Sequence, residues 1–403
     1  MNSDWTTCKI GDICTKICSG GTPKSNEPSY YGGNIPWLNT KEINFNRIYN
    51  TEKYITSSGL NNSSAKWIDA NSVIVAMYGA TAAKVSINTI PLTTNQACCN
   101  LTIDETIADY RYVYYYLCRN YQHLALLANG GAQQNLNAQQ IKDFNIILPQ
   151  LPIQHKIANI LWTIDDKIEL NRRINDNLEQ QAQALFKSWF VDFEPFKDGE
   201  FVDSELGMIP KGWRVVCLGE VTKQVTEKVG NREDVTVLSP VNSGELVLSE
   251  EYFTKQVFSK NLSKYLIVNP LSFAYNPARI NIGSIGLNEY DFVGCVSPVY
   301  VVFKCEPNYH YFFDFYKRTA VFKDEVALRA IGGVRQSLGY DDFSLIKTIY
   351  PTPDVVAEFN NLYLKMKEVI TRNDIQNNKL TTLRDSLLPK LMSGELKINN
   401  FNR

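Results

Sequence analysis

Gly130-Gly131-Ala132-Gln133-Gln134-Asn135-Leu136 returns 202 residues later as Gly332-Gly333-Val334-Arg335-Gln336-Ser337-Leu338. Pro149 and Pro351 keep that offset, as do the pairs Ile164 and Met366, Ile168 and Ile370, Asn171 and Asn373, Leu178 and Leu380, and Leu185 and Leu387. Near the start, Trp5, Ile10 and Gly11 match Trp213, Leu218 and Gly219 at an offset of 208. The chain is therefore a duplication, each half a globular domain followed by a long helix. A duplicated chain usually packs with approximate two-fold symmetry, showing one surface twice in opposite directions. The length, 403 residues, agrees, since single cores stop growing at about 250–300 residues.

The first long helix is expected from about Pro152 to Phe190. Ile164, Asn171, Leu178 and Leu185 form one seven-residue series, and Ile168, Asn175, Ala182 and Trp189 a second. The other helix, from about Pro353 to Met392, repeats them as Met366, Asn373, Leu380, Leu387 and as Leu362, Val369, Gln376, Leu383, with Gly394 as its stop. Such spacing marks a coiled-coil seam. A two-fold axis would make the helices antiparallel, each about 55–60 Å long at 1.5 Å per residue. Asn171 and Asn373 hold equivalent seam positions. Either they are buried, where a polar pair costs stability and fixes register, or they lie at the solvated edge. The fold class is α/β (mixed α+β): duplicated domains joined by two long antiparallel coiled-coil helices, with pseudo-two-fold symmetry. The expected bounds are 1–150 and 209–351 for the domains, 151–191 and 352–403 for the helices with the tail, and 192–208 for a linker.

Within the domains, Ser72 to Met77, Cys98 to Ile103, Leu271 to Tyr275 and Pro298 to Phe303 read as strands. Tyr110 to Leu117, Leu124 to Leu127 and Tyr311 to Arg329 read as helical. Several loops mix glycine, amide, basic and aromatic residues: Ser19 to Lys24, Trp37 to Lys41, Tyr78 to Lys84, Thr93 to Gln96, Gly130 to Asn135, Tyr275 to Asn281 and Gly332 to Ser337. That mixture suits DNA. Glycine lets backbone N–H groups approach phosphates, Lys and Arg neutralise them, and Gln, Asn and Arg pair with base edges. The candidate nucleic-acid contacts are Lys24, Lys41, Tyr78, Lys84, Gln96, Gln133, Gln134, Asn135, Arg279, Asn281, Arg335 and Gln336.

Composition narrows the classes. Net charge is −1 and neither domain is strongly basic, so DNA contact depends on cations gathered on one face. Nine cysteines form no CxxC pair, and three scattered histidines offer no metal cluster. No apolar run reaches the ~20 residues of a membrane span, and the N-terminus does not read as a signal peptide. The expected location is the cytoplasm.

Ser188-Trp189-Phe190-Val191-Asp192-Phe193-Glu194-Pro195-Phe196, followed by Ser204 to Trp213, resembles the central region of type I restriction-modification specificity subunits. So do Leu148-Pro149 through Gln154-His155-Lys156-Ile157-Ala158, Thr94-Asn95-Gln96-Ala97, and the tail Leu383 to Leu396. The second domain departs at Val296-Ser297-Pro298-Val299, opposite Asn95-Gln96-Ala97, and at Ile280-Asn281-Ile282-Gly283, opposite Ala83-Lys84. The resemblance implies two target-recognition domains, each reading half of a bipartite site in double-stranded DNA. It implies helices that set the spacer and dock two methyltransferase (modification) subunits, with motor-nuclease (restriction) subunits joining them. It also implies that S-adenosylmethionine, ATP and Mg belong to those partners, with no cofactor in this chain.

The residues themselves point away from catalysis. Asn269-Pro270-Leu271 and Asn276-Pro277-Ala278 fall short of the Asn/Asp-Pro-Pro-aromatic motif of adenine methyltransferases, and neither a Gly-rich cofactor loop nor a GxxxxGK loop occurs. A coiled-coil scaffold joining two protein-binding domains is the rival reading.

Overall fold

The computed structural model describes residues 5–128, 135–253, 255, 258–329 and 337–396. The chain divides into two compact units. The first joins Met1–Arg172 to Asn373–Arg403, and the second is Arg173–Arg372.

In the first unit Thr6–Lys9 pairs antiparallel with Asn145–Leu148. Five strands follow in the order Cys14–Ser19, Cys98–Ile103, Val73–Ala76, Val85–Asn88, Arg47–Ile48, and four in the order Lys53–Ile55, Tyr31–Leu38, Leu92–Thr94, Trp67–Ile68. The second unit repeats this plan. Arg214–Cys217 pairs with Lys347–Tyr350. One sheet runs Thr222–Val225, Val301–Cys305, Phe273–Tyr275, Ile285–Leu287, and the other Leu246–Leu248, Thr236–Pro240, Gly294–Val296, Leu266–Val268. Small details recur as well. Asn88 and Asn288 are fully buried. Each donates its side-chain amide to two carbonyls, Asp69 and Ile90 in one unit and Val268 and Phe292 in the other. A Cβ on Gly11 would meet the Lys142 carbonyl at 3.3 Å, and one on Gly219 the Ser344 carbonyl at 3.2 Å, Lys142 and Ser344 being 202 positions apart.

Of the sequence-based strands, Cys98–Ile103 keeps its bounds, two shorten to Val73–Ala76 and Phe273–Tyr275, and the last moves toward the C-terminus as Val301–Cys305. Tyr311 to Arg329 is not one helix. It breaks into His310–Tyr316 and Ala320–Arg329, where Lys317 turns inward and Thr319 Oγ1 accepts from the Phe322 N–H.

The long helices run Leu151–Phe190 and Pro353–Ser393. Gly394 ends the second at a φ of 72°. In the first unit Arg384 Nη1 donates to Asp165 Oδ1 at 2.9 Å. Asn171 Nδ2 donates to Gln376 Oε1 at 2.8 Å and Asn377 Oδ1 at 2.9 Å. Residue numbers thus rise on one helix as they fall on the other. In the second unit Asn175 Nδ2 faces the Ile370 carbonyl at 3.5 Å, and the rings of Phe186 and Phe359 lie 5.8 Å apart. The pairing is antiparallel in both.

Asn171 and Asn373 are buried, which settles the choice left open by the heptad pattern. Ile168 is buried with them, while Ile164, Leu178, Leu185, Met366, Leu380 and Leu387 are half-buried. Leu387 packs on the first core, and Leu185 and Met366 on the second. Gln376 and Leu383 are exposed, and Asn377 and Leu391 take the inner face instead. A helix of 3.6 residues per turn drifts about 20° per heptad, so a strict seven-residue series leaves the seam.

The first core packs a helix, Tyr110–Arg119, with Val73, Val85 and Leu101 of the sheet, Ile157 and Leu161 of the first long helix, and Leu391 and Met392 of the second. The second core is aromatic: Phe273, Phe303, Phe313 and Phe343 meet ring to ring. Phe186 and Phe190 enter it from one long helix and Phe359 from the other. Aromatic pairs add about 0.5–1.5 kcal/mol each beyond area burial.

His310 lies 4.2 Å from the Tyr311 ring. Burial pushes its imidazole down to about 4, Lys367 adding to the effect and Asp314 opposing it. Its folded value lies below its unfolded one, so between about pH 6.5 and pH 4 the unfolded chain binds the extra proton. The second unit is therefore expected to lose stability as pH falls through that window. Urea melts of His310→Gln should lack this slope; an unchanged slope would assign it to other groups.

Candidate nucleic-acid interface

The polar loops of the first unit gather at one end of a parallel strand pair. Tyr31–Leu38 and Leu92–Thr94 run side by side, with Trp37 opposite Thr93 and Leu38 opposite Thr94. Both chains leave at this end, one into Asn39-Thr40-Lys41 and the other into Asn95-Gln96. Asn95 Nδ2 donates to Asn39 Oδ1 at 2.7 Å, and the Asn95 N–H to the Leu38 carbonyl at 3.0 Å.

The loop from Ser19 to Lys24 locks onto this pair. The Gly21 N–H donates to the Thr94 carbonyl at 2.8 Å, and Trp37 Nε1 to the Gly21 carbonyl at 2.9 Å. Thr22 Oγ1 donates to Gln96 Oε1. A Cβ at Gly20 would lie 2.0 Å from the Thr94 carbonyl oxygen, and one at Gly21 would lie 2.3 Å from the Ala65 nitrogen. Both neighbours are backbone and cannot swing aside. Gly20→Ala is expected to cost about 1–3 kcal/mol as an overpacking change, measured by thermal unfolding. An unchanged melting temperature would show that the loop shifts freely.

The remaining loops join contact by contact. The Met77 N–H donates to the Ala97 carbonyl and the Leu136 N–H to the Met77 carbonyl, both at 2.8 Å. Tyr78 and Asn135 form a bridge, and both are exposed. Lys84 Nζ donates to Asn44 Oδ1 at 2.7 Å and lies 6.0 Å from the Phe45 ring. Asn44 comes three residues after Lys41. So Lys24, Lys41, Tyr78, Lys84, Gln96 and Asn135 belong to one connected rim.

The charges on this rim are not equivalent. Lys41 is ion-paired with Glu52, which raises its pKa by hydrogen bond and charge. Lys24 is exposed and has no side-chain partner among the described residues. Lys84 is held by a neutral amide. Lys24 and Lys84 are thus the rim cations with no acidic partner among the described residues.

The second unit builds a corresponding turn. Asn276, Arg279, Ile280 and Ser284 close it through main-chain bonds, with Gly283 at a φ of 90° where the first unit has Ala83 at 67°. Arg279 and Asn281 are both exposed on it. The Leu338 N–H donates to the Pro277 carbonyl at 3.0 Å, matching Leu136 and Met77. Lys84 is replaced by Ser284, whose hydroxyl turns inward to the Pro240 carbonyl at 2.8 Å. The second rim therefore lacks that cation. Gln133, Gln134, Arg335 and Gln336 lie outside the described residues, on the segments 129–134 and 330–336 that adjoin these rims.

Of the motif residues, Gln154 faces inward, while His155 stays exposed and reaches Asp109 through Nδ1 at 2.7 Å. Gln154 is buried, accepts from the Asp109 N–H at 3.0 Å and donates to the Pro149 carbonyl at 2.9 Å. Burial works against the Asp109 carboxylate, but hydrogen bonds from Arg111 and His155 outweigh it and hold its pKa below the usual range. Sequence reading also missed Arg47, whose guanidinium lies 3.5 Å from the Trp162 ring centre and pairs with Asp166. Arg111 reaches Asn159 Oδ1 at 2.7 Å, so two arginines seat the domain on its own long helix.

Among the described residues no group of three or more His, Cys, Asp or Glu could hold a metal ion, and no helix is long and apolar enough to cross a membrane.

The family described as type I restriction modification DNA specificity domain matches residues 2–180. Along almost the whole chain the sequence is similar to the type I restriction enzyme MjaIX specificity subunit of Methanocaldococcus jannaschii, 28% identical over 99% of this chain and 95% of that one. Residues 2–180 thus match the type I restriction-modification specificity-domain family, and the rest of the chain is similar to a specificity subunit along its length. A second relative, the HindI specificity subunit of Haemophilus influenzae, is 25% identical over 67% of this chain and 72% of its own. The fold matches the crystal structure of a type I restriction-modification S subunit from M. genitalium, with a TM-score of 0.58 at 16% identity, covering 97% of this chain and 96% of that one. The chain thus shares its fold, with two α/β domains and two long helices, with that structure.

Proposed function

We propose that each unit reads one half of a bipartite site in double-stranded DNA through its polar rim. The carrying observation is the rim itself, repeated in both units on the same main-chain frame with different side chains. A shared frame with divergent contacts suits two different half-sites. In this reading the chain is not a catalyst. It directs adenine-N6 methylation and restriction by partner subunits, which bring S-adenosylmethionine, ATP and Mg. The paired helices set the spacer and dock two methyltransferase subunits. Exposed apolar side chains on them, Leu170, Leu364, Ile375 and Leu383, support the docking role. Lys24, Lys84, Gln96, Gln133, Gln134 and Asn135 would serve one half-site, and Arg279, Asn281, Arg335 and Gln336 the other.

The test is a methylation map of cells making this chain with its methyltransferase partner. A split motif with a fixed gap, lost when this chain is deleted, is expected. A continuous motif would remove one unit from the reading, and no methylation by a soluble complex would sink it. Lys24→Ala should weaken binding across all sequences and lower the salt slope by about one.

A further inference from the structure

Among the described residues, Leu126 and Leu328 are two of the most exposed large apolar side chains, 80% and 66% exposed. They are 202 residues apart, the offset that relates the two units here. Each follows a buried anchor by two positions, Leu124 in one unit and Val326 in the other. Each closes or nearly closes a helix, Tyr121–Leu126 or Ala320–Arg329. The rim is close by in both units. Gln140 Nε2 donates to the Leu127 carbonyl at 2.6 Å, and Gln140 caps the turn that follows Asn135 and Leu136. In the second unit, helix Ala320–Arg329 packs on Ile280–Ile282, the turn that carries Asn281.

A leucine left in water by both copies, while the surrounding surface residues differ, has a use common to both. Burying such a side chain on binding is favourable in proportion to the apolar area it removes from water. Resting on the reading above, we infer that Leu126 and Leu328 are a matched pair of apolar base contacts, one per half-site, which pack against base methyl groups or faces exposed in the groove. This neighbourhood favours DNA over a protein partner, because in each unit the leucine borders the polar rim.

The experiment uses the full chain with its methyltransferase partner and compares Leu126→Ala, Leu126→Met, Leu328→Ala and the parent by methylation mapping and by duplex titration at several salt concentrations. Leu126→Ala should weaken recognition of one half-site and Leu328→Ala of the other, each roughly tenfold or more. The salt slope should stay unchanged, since no phosphate contact is lost. Leu126→Met should keep most of the affinity. Melting temperatures should not move, given the exposure of both sites. Unchanged affinity in both alanine variants, with the parent motif intact, overturns the inference and leaves the two-reader reading standing. Loss of the methyltransferase from the purified complex would assign the leucines to a protein interface and likewise overturn it. A parent complex without a split motif would fail the two-reader reading itself, and this inference with it.

Discussion

Replacing Asp314 with leucine is expected to cost the second unit about 3–5 kcal/mol, read by urea denaturation, because it leaves a buried charge without its counter-ion. Lys317 and Asp314 side chains are 2% and 6% exposed, and their charged atoms are 2.8 Å apart. Burial pulls the Lys317 pKa down, and the Asp314 charge resists that pull. Lys317 Nζ also donates to the carbonyls of Gly244 and Ile285. Arg318 shares the carboxylate from the solvent side but does not replace the buried partner. Removing both buried charges, as Asp314→Leu with Lys317→Met, should recover most of the loss, since well-packed apolar replacements of buried pairs are often neutral. A single-variant loss below about 1 kcal/mol would mean that water reaches Lys317. The first unit has Tyr115 at the equivalent place, its hydroxyl donating to Asp165 at 2.6 Å. The defect should therefore stay in the second unit, leaving the half-site read by the first intact.

Asn171→Leu is the second large effect, and it falls on site selection. Asn171 is fully buried, and its Oδ1 has no hydrogen-bond partner although its Nδ2 has two. Leucine removes an unsatisfied buried acceptor, worth about 1–3 kcal/mol, but takes the donor from Asn377 Oδ1 at a similar cost, so the net change in helix stability should be small. What they lose is a reason to prefer one register, because leucine accepts any apolar neighbour. A slip of one heptad moves one helix by about 10 Å along the other, or about three base pairs of B-DNA. The methylation map of the variant should show additional gap lengths with both half-sites kept. A single unchanged gap would place the register elsewhere, in Arg384 with Asp165 or in the two cores.

The periodic parts of the fold were legible in the sequence. Two long helices and a duplication announce themselves through repeats, and both helices end within a residue or two of the sequence reading. The seam was read less well. Asn377, in no series singled out, is buried, while Leu383 is exposed, because burial follows 3.6 residues per turn and the series followed seven. The loops could be picked out by composition, but their assembly could not. Thr22 meets Gln96 across 74 positions, and Lys84 meets Asn44 across 40. The pairing of Lys41 with Glu52 was equally hidden, as was Gln154, an amide that looks available and is spent on main-chain bonds.

The first unit is completed by the end of the chain: Leu391 and Met392 are 1% and 2% exposed in its core, and Arg384 binds Asp165. The second unit takes every segment from Arg173–Arg372. During synthesis the half made first must therefore wait. Its core lacks Leu391 and Met392 until the 200 residues of the other unit have been made. A released chain cut short near residue 380 should hold a folded second unit and a protease-sensitive first one, so the half made first is the half completed last.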